Sequence, residues 1–488
     1  MTHAPSLPTT AAPGGHHHVG GQWRAGASSI EVTCPADGAV LARLAAGDAA
    51  DIDAAVRAAR EALAGPWGRL SATARGRLLC KLADAVLRDV ERLAWIEALD
   101  TGKPITLARN DVKVLARYLE YYGTAADKVL GQVIPFEPGY SVKVVREPHG
   151  VTGHIIPWNY PVQMFGRSVA PALAMGNACV VKPAEDASLT SLEIAALALE
   201  AGFPAGVLNV VTGYGDAAGA ALAAHPDINY ISFTGSPRVG ALVQQAAAVN
   251  SVRVCLELGG KSPQVVFADA DLDRCAATVV KAITQNAGQT CSAGSRVLVQ
   301  RAVFDEFMQK VAAGFEQLRV GDPWDDPDLG PVINRVQRQR VQRYVDQAIA
   351  EGVPVLGRAR VADSLLARGH FVAPIVFGPV PRDNAIACEE VFGPVLAALA
   401  FDDEEDAVAL ANGTDYGLVA AVWTRDGDRA ARLVQRLAAG QCFINCYGAG
   451  GGVELPFGGV KRSGHGREKG LLALEDMSTT KTIVHFHG

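Results

Sequence analysis

Between residues 51 and 118 apolar side chains recur three and four positions apart: Ala54, Ala55, Ala58, Ala59 and Ala62, then Leu78, Leu79, Leu82, Val86 and Leu93. That spacing lines one face of a 3.6-residue helix and predicts a helical stretch, punctuated by Gly102-Lys103-Pro104. From residue 150 the period changes. Short apolar runs at 151–156, 178–182, 207–211, 228–233 and 252–258 alternate with helical patterns at 162–174, 188–201, 216–224 and 238–248. Strands separated by helices of that length predict right-handed crossovers and a parallel, doubly wound sheet. A second series follows, with strand patterns at 263–267, 296–300, 353–356, 372–377, 419–424 and 441–444. Its helical patterns lie near 272–286, 302–318, 334–351, 403–412 and 427–439. The expectation is two α/β units in tandem with the seam near Gly259-Gly260. The last run, Thr479–His487, reads as a strand at the terminus. A bare strand edge invites pairing, so subunits are expected to meet there. Residues 1–21, rich in Pro, Gly, Thr and His, read as a loose arm whose run His16–His18 is incidental rather than metal-binding.

Composition narrows the classes. The 488 residues carry 45 Lys plus Arg against 51 Asp plus Glu, a net charge of −6, with no basic run. This argues against nucleic acid as partner. Apolar stretches such as 178–181 end long before the roughly 18 residues that span a bilayer. No positive segment followed by an apolar one opens the chain, so no signal peptide is expected. Nine cysteines, an odd number without a CxxC pair, suit free thiols in the reducing cytoplasm.

Several motifs are decoys. Gly260-Lys261-Ser262 resembles the end of a phosphate-binding loop, but Cys255 stands where that loop needs glycine. No HExxH and no GxSxG occurs, so metal is not expected and serine hydrolysis is poorly supported. Cys442 and Cys446, in an apolar run, are expected in the core.

The informative stretch is QNAGQTCSAGSR, 285–296. Cys291 stands among Gly288, Gln289, Ser292 and Gly294, poor core partners, which favours a reachable nucleophilic thiol over an inert one. Glu257, inside the apolar run VCLEL, is costly to bury. Desolvation raises its pKa, which suits a general base, and a paired structural acid is an equal alternative. Asn159 in IIPWNYP precedes a helix that Pro161 starts at its first turn. Its amide serves either an oxyanion or, more commonly, a helix N-terminus.

These residues sit within PWNYP (157–161), KPAE (182–185), FTGS (233–236), LELGGKS (256–262), GQTC (288–291), EEVFGPV (389–395) and PFGGVKRSGHGRE (456–468). In that order and spacing they resemble the NAD(P)-dependent aldehyde dehydrogenase superfamily, from about residue 20 to the C-terminus. The resemblance implies an α/β fold: a Rossmann-like cofactor-binding domain over 21–128 and 149–258, and a second α/β catalytic domain over 259–460. A small β oligomerisation element over 129–148 and 470–488 completes it, with a flexible arm over 1–20. It implies that Cys291 attacks the aldehyde carbon, that the Asn159 amide and the Cys291 N–H hold the oxyanion, and that hydride leaves to NAD. Glu257 then activates the water that hydrolyses the thioester, and Glu468 assists proton exit.

For the cofactor, the fingerprint GxGxxG is replaced by Gly213-x-Gly215-x-x-x-Gly219, one residue too long, and the family does without it. The resemblance assigns Ser236 and Gly235 to the pyrophosphate, Lys182 and Glu185 to the adenosine ribose, and Glu390 with Phe392 to the nicotinamide ribose. Ile156, Pro157, Trp158, Phe233 and Leu258 complete the groove. Glu185 favours a free 2′-hydroxyl, so NAD is expected over NADP, with NADP the less favoured alternative.

The substrate wall is expected to include Met164, Arg167 and Tyr160. Gln163, Met164 and Arg167 share a helix face. Succinic-semialdehyde-oxidising relatives carry arginine at the position of Arg167, where a charge-assisted pair to the substrate carboxylate contributes about 1.5–3 kcal/mol. A structural salt bridge is the equal alternative. Three glycines in the mouth loop 447–455 point instead to a bulky aldehyde. A coenzyme-A-acylating relative is the nearest rival within the family, and Glu257 argues against it. A homodimer or homotetramer acting on a small aldehyde, without nucleic acid or membrane, is the resulting picture.

Overall fold

The computed structural model describes residues 5–448 and 452–488. Five parallel strands form the heart of its first sheet: β1 (Val151–Ile156), β2 (Ala178–Pro183), β3 (Leu208–Val210), β4 (Tyr230–Thr234) and β5 (Arg253–Glu257). They lie in the order β5-β4-β1-β2-β3. The chain runs outward from β1 through β2 to β3, then returns to the other side of β1 for β4 and β5. At that reversal a crevice opens beyond the carboxyl ends of β1 and β4, the place where doubly wound sheets take ligands. Strands such as β2 are buried along their whole length, because helices cover both faces of the sheet. Their apolar runs are therefore continuous rather than alternating.

Antiparallel strands close both margins of this sheet. Gly464–His465 pairs with β5, setting Gly464 opposite Glu257. At the other margin His16–Val19 meets β3 through His18 and Val210, and pairs along its length with Gln22–Ala25. The loose-arm reading of residues 1–21 is thus corrected over this segment, while residues 1–4 lie outside the described chain. His17 and His18 are buried. The His17 Nε2 lies 3.4 Å from Asp51, and the His18 ring meets Trp23 edge-on at 5.0 Å. Polar rings in place of aliphatic side chains hid the strand.

The second sheet holds six parallel strands: β6 (Pro263–Val266), β7 (Arg296–Gln300), β8 (Ile375–Phe377), β9 (Val395–Phe401), β10 (Val419–Trp423) and β11 (Gln441–Ile444). Their order is β8-β9-β7-β6-β10-β11, with Val355–Arg358 antiparallel beside β8. The periodicity missed β9. Its run VLAALAF is paired on both sides and buried, and only the four-residue helix Ala385–Cys388 stands between it and β8, so no helical period sets it apart. Gly259-Gly260 lies between β5 of the first sheet and β6 of the second. Cys442 and Cys446 are half-buried rather than core, because β11 is the outermost strand of its sheet.

The terminal strand Ser478–Phe486 pairs with Tyr140–Pro148, which also pairs with Gln132–Ile134. Its outer edge is open within the chain and carries exposed Ile483, Val484 and Phe486. Among the described residues no helix is long and apolar enough to cross a membrane.

Candidate active site

The loop bearing Cys291 lies at the seam between the sheets and is fixed from several sides. Just before Cys291, Asn286 and Ala287 hold left-handed backbone (φ 52° and 53°). Side chains seldom adopt that conformation unless the surroundings enforce it. The enforcement is visible. Asn286 Nδ2 donates to the Asn159 carbonyl at 2.9 Å, and Asn159 Nδ2 donates to the Gln289 carbonyl at 2.9 Å. The Gln289 amide spans from the Asn286 carbonyl (3.1 Å) to the Ile333 N–H (2.9 Å). A Cβ at Gly260 would stand 2.5 Å from the Cys291 carbonyl oxygen, so the second glycine of the seam admits the loop. Asn159 is not a helix cap. Tyr160 takes that position, and Pro161 opens the helix Pro161–Ala174.

Cys291 packs with Phe443 and Tyr447 against buried Leu418 and Phe457. The Tyr447 hydroxyl donates to the Ser292 carbonyl at 2.6 Å. Burial pushes the Cys291 thiol up to about 11, with Arg167 pulling down and Glu257 and Glu390 pushing further up.

Glu257 ends β5 and is buried. From the helix Pro161–Ala174, Arg167 reaches two carboxylates. Its Nη2 lies 3.2 Å from Glu257, and its Nε is paired with Glu468. Its guanidinium also lies 4.3 Å from the centre of the Phe457 ring. Glu468 accepts a further bond from the Ser232 hydroxyl of β4 at 2.8 Å. Burial holds the Glu257 carboxyl well above the usual carboxylate range. Arg167 opposes this and Glu468 adds to it. Arg167 therefore stands as an ion-pair partner of protein carboxylates. Met164 lies beside it, its sulfur 3.8 Å from Nη1.

Behind Tyr160 lies a buried cluster. Lys103 Nζ sits between Glu97 (3.0 Å) and Asp111 (2.6 Å), and 4.6 Å from the centre of the Tyr160 ring. Gln163 donates to Asp111 at 2.6 Å. The Tyr160 hydroxyl shares a 2.9 Å hydrogen bond with Thr290, the neighbour of Cys291. Sequence reasoning treated Lys103 only as punctuation and missed Tyr447 and Lys469. Lys469 is buried, with its Nζ 5.7 Å from the centre of the Phe457 ring. Its position directly after GRE was the available signal.

The groove residues gather at the crevice of the first sheet. Ile156 closes β1 and runs into Pro157 and Trp158, whose indole meets Phe392 edge-on at 5.3 Å. Lys182, buried in β2, lies 2.9 Å from Glu185. Ser236 caps the helix Pro237–Val249 by accepting from the Val239 N–H at 3.4 Å. Gly235 is pressed against Phe233, and Gly240 of that helix against Leu258. Around Gly215 a Cβ would meet nothing within 4 Å, and at Gly219 only Lys182 within 3.9 Å, leaving open space over the turn. Glu390 accepts from the Gly260 N–H at 3.0 Å, and its carboxylate would stand 2.3 Å from a Cβ at Gly259. Burial pushes Glu390 up to about 7. A helix N-terminus, an amine paired with a carboxylate and a second carboxylate across the seam fit the phosphates and two riboses of a dinucleotide. Gly450 and Gly451 of the mouth loop lie outside the described residues.

The profile of the aldehyde dehydrogenase family matches residues 23–483. The mitochondrial aldehyde dehydrogenase of Equus caballus is 44% identical over 456 residues, 92% of this chain and 90% of that protein. A Burkholderia cenocepacia protein crystallised as a candidate aldehyde dehydrogenase superposes with a TM-score of 0.96 at 58% identity, over 97% of this chain and 100% of that one. Betaine aldehyde dehydrogenase from Staphylococcus aureus, solved in complex with NAD+, gives 0.94 at 34% identity, over 97% and 95%.

Proposed function

The chain belongs to the aldehyde dehydrogenase family, and from that premise we propose that it oxidises an aldehyde to the carboxylic acid through a thioester on Cys291. One observation carries the reading: the loop bearing Cys291 is tied to Asn159 and packed on Gly260, three residues beyond the buried acid Glu257.

The chemistry follows from these groups. Cys291 loses its proton and attacks the aldehyde carbon. The second N–H of the Asn159 amide and the Cys291 N–H donate to the oxyanion of the thiohemiacetal. NAD, when bound, would supply the acceptor for the hydride that leaves that carbon. Lys182 and Glu185 would hold the adenosine ribose, Ser236 the pyrophosphate, and Glu390 the nicotinamide ribose. Glu185, a carboxylate paired with Lys182, supports NAD over NADP because a 2′-phosphate would face a negative charge. Glu257, with its raised pKa, then takes a proton from the water that cleaves the thioester, and Glu468 passes protons outward. A water-activating acid at this place supports hydrolysis over transfer to coenzyme A.

The same reading assigns 21–128 and 149–258 to NAD binding, 259–460 to catalysis, and 129–148 with 470–488 to assembly as a homodimer or homotetramer. The open edge of Ser478–Phe486 supports that assembly. Nine free cysteines support a reducing compartment such as the cytoplasm. Glu257→Gln tests the mechanism: one equivalent of NADH should form rapidly and an acyl adduct should accumulate on Cys291 by mass spectrometry. Continued turnover at the parent rate would remove Glu257 from the hydrolytic step.

A further inference from the structure

We propose that Gln337 and Arg340 are positioning residues for the nicotinamide end of the cofactor, acting through the loop that carries Glu390 and Phe392. The proposal rests on the reading above that gives the nicotinamide ribose to these two loop residues.

The helix Arg335–Ala350 brings Gln337, Arg340, Val341 and Tyr344 to one face, since they stand three and four positions apart. That face meets the loop residue by residue. Gln337 Nε2 donates to the Phe392 carbonyl at 2.7 Å and to the Val391 carbonyl at 3.3 Å. Arg340 Nη2 donates to the Glu390 carbonyl at 2.6 Å, and its Nε to the Val391 carbonyl at 3.3 Å. The Tyr344 hydroxyl donates to the Glu389 carboxylate at 2.6 Å. A Cβ at Gly393 would stand 2.4 Å from a Val341 methyl. Three successive carbonyls are thus held by side chains, in a segment with no strand or helix of its own. Within it Phe392 keeps left-handed backbone at φ 60°, a cost that the surrounding contacts offset.

The helix is itself anchored beside the other parts of the site. Asn334 caps it by accepting from the Gln337 N–H at 2.8 Å, and its amide donates at 3.1 Å to Asp186, the neighbour of Glu185. The Ile333 N–H just before the cap holds Gln289 of the loop bearing Cys291. A Cβ at Gly288 would stand 2.2 Å from the Gly393 carbonyl, so the two loops touch. One helix end therefore sets the nicotinamide loop in register with both the adenosine side and the thiol. Its bonds to that loop end on main-chain oxygens, so Gln337 and Arg340 act on the ligand through Glu390 and Phe392.

The test compares the binding of NADH, by fluorescence titration, with that of ADP, by displacement. ADP lacks the nicotinamide riboside. Gln337→Met keeps the length and the helix propensity but removes the donor. Its Kd for NADH should rise about three- to tenfold, while that for ADP stays within about twofold. Arg340→Lys keeps the charge without the fork and should show the same split. ADP binding reports the folded groove in the same protein, so a loosening of the whole groove would raise both constants equally. That result, or an unchanged NADH affinity in both variants, would overturn the proposal while NADH binding by the parent leaves the cofactor reading standing. A parent that binds NADH no more tightly than ADP would remove the nicotinamide assignment of Glu390 and Phe392, and the proposal with it.

Discussion

The guanidinium of Arg167 lies 3.2 Å from the carboxylate of Glu257, and the two side chains are only 4% and 2% exposed. Yet among the described residues no hydrogen bond reaches either Glu257 oxygen. The attraction is one of charge without directional bonding, which holds the acid near the thiol while leaving its oxygens for water. Glu468 shares the same guanidinium, so the state of one carboxylate bears on the other.

Arg167→Met should therefore lower kcat on acidic and neutral aldehydes alike, by about tenfold or more. It leaves two buried carboxylates facing each other, and breaking such a pair costs about 3–5 kcal/mol of stability. Steady-state kinetics on both substrate classes, with thermal unfolding, checks this. A loss confined to acidic aldehydes would return Arg167 to substrate binding.

Tyr160→Phe should cost about 1 kcal/mol of loop positioning through loss of the bond to Thr290, seen as a several-fold drop in kcat with little change in KM. Thr290→Val should do the same. Their combination should be no worse than either alone, since both remove one interaction. Fully additive effects would dissolve the link.

The rate should climb with pH. The Cys291 thiol is pushed up to about 11 and Glu257 lies well above its usual range. In the proposed mechanism both groups act deprotonated, and burial favours the protonated form of each, so kcat/KM should rise from pH 6 to pH 9. A flat profile across that range would show that cofactor and substrate binding reset both groups.

Acid should destabilise the fold early. His154 is buried between the hydroxyls of Thr152 (2.8 Å) and Ser168 (2.5 Å), and burial pulls it down to about 3. The unfolded chain binds a proton at 6.5, so the neutral ring's contribution is complete above that pH. It is lost as pH falls from 6.5 toward 3, at about 1.4 kcal/mol per unit from this residue. Denaturant unfolding at pH 7, 6 and 5 measures the slope. Equal midpoints would contradict it.

Much of this was legible in the residues. The strand-helix alternation found β1 to β5, because helix-covered parallel strands leave unbroken apolar runs between helical periods. It lost β9 because only the four-residue helix Ala385–Cys388 separates it from β8, too short to show a helical period, and His16–Val19 because histidine rarely signals a strand. Cys291, Glu257 and Asn159 stood out as residue types too polar or too reactive for their neighbours. What stayed hidden were relations across the chain. Lys103 supports Tyr160 from 57 positions away, and Arg167 meets carboxylates 90 and 301 positions downstream. No local pattern encodes such meetings, which only the packed seam creates.

Asn159 follows β1 and Glu257 ends β5 of the first sheet, while Cys291 precedes β7 of the second, and Gly259-Gly260 lies in the chain between the two sheets. Neither half holds a working set by itself. Under the proposed mechanism, turnover is thus a coincidence detector for correct docking. A slight parting of the halves by heat, pressure or a cavity at the seam would silence the enzyme while circular dichroism still showed two intact sheets.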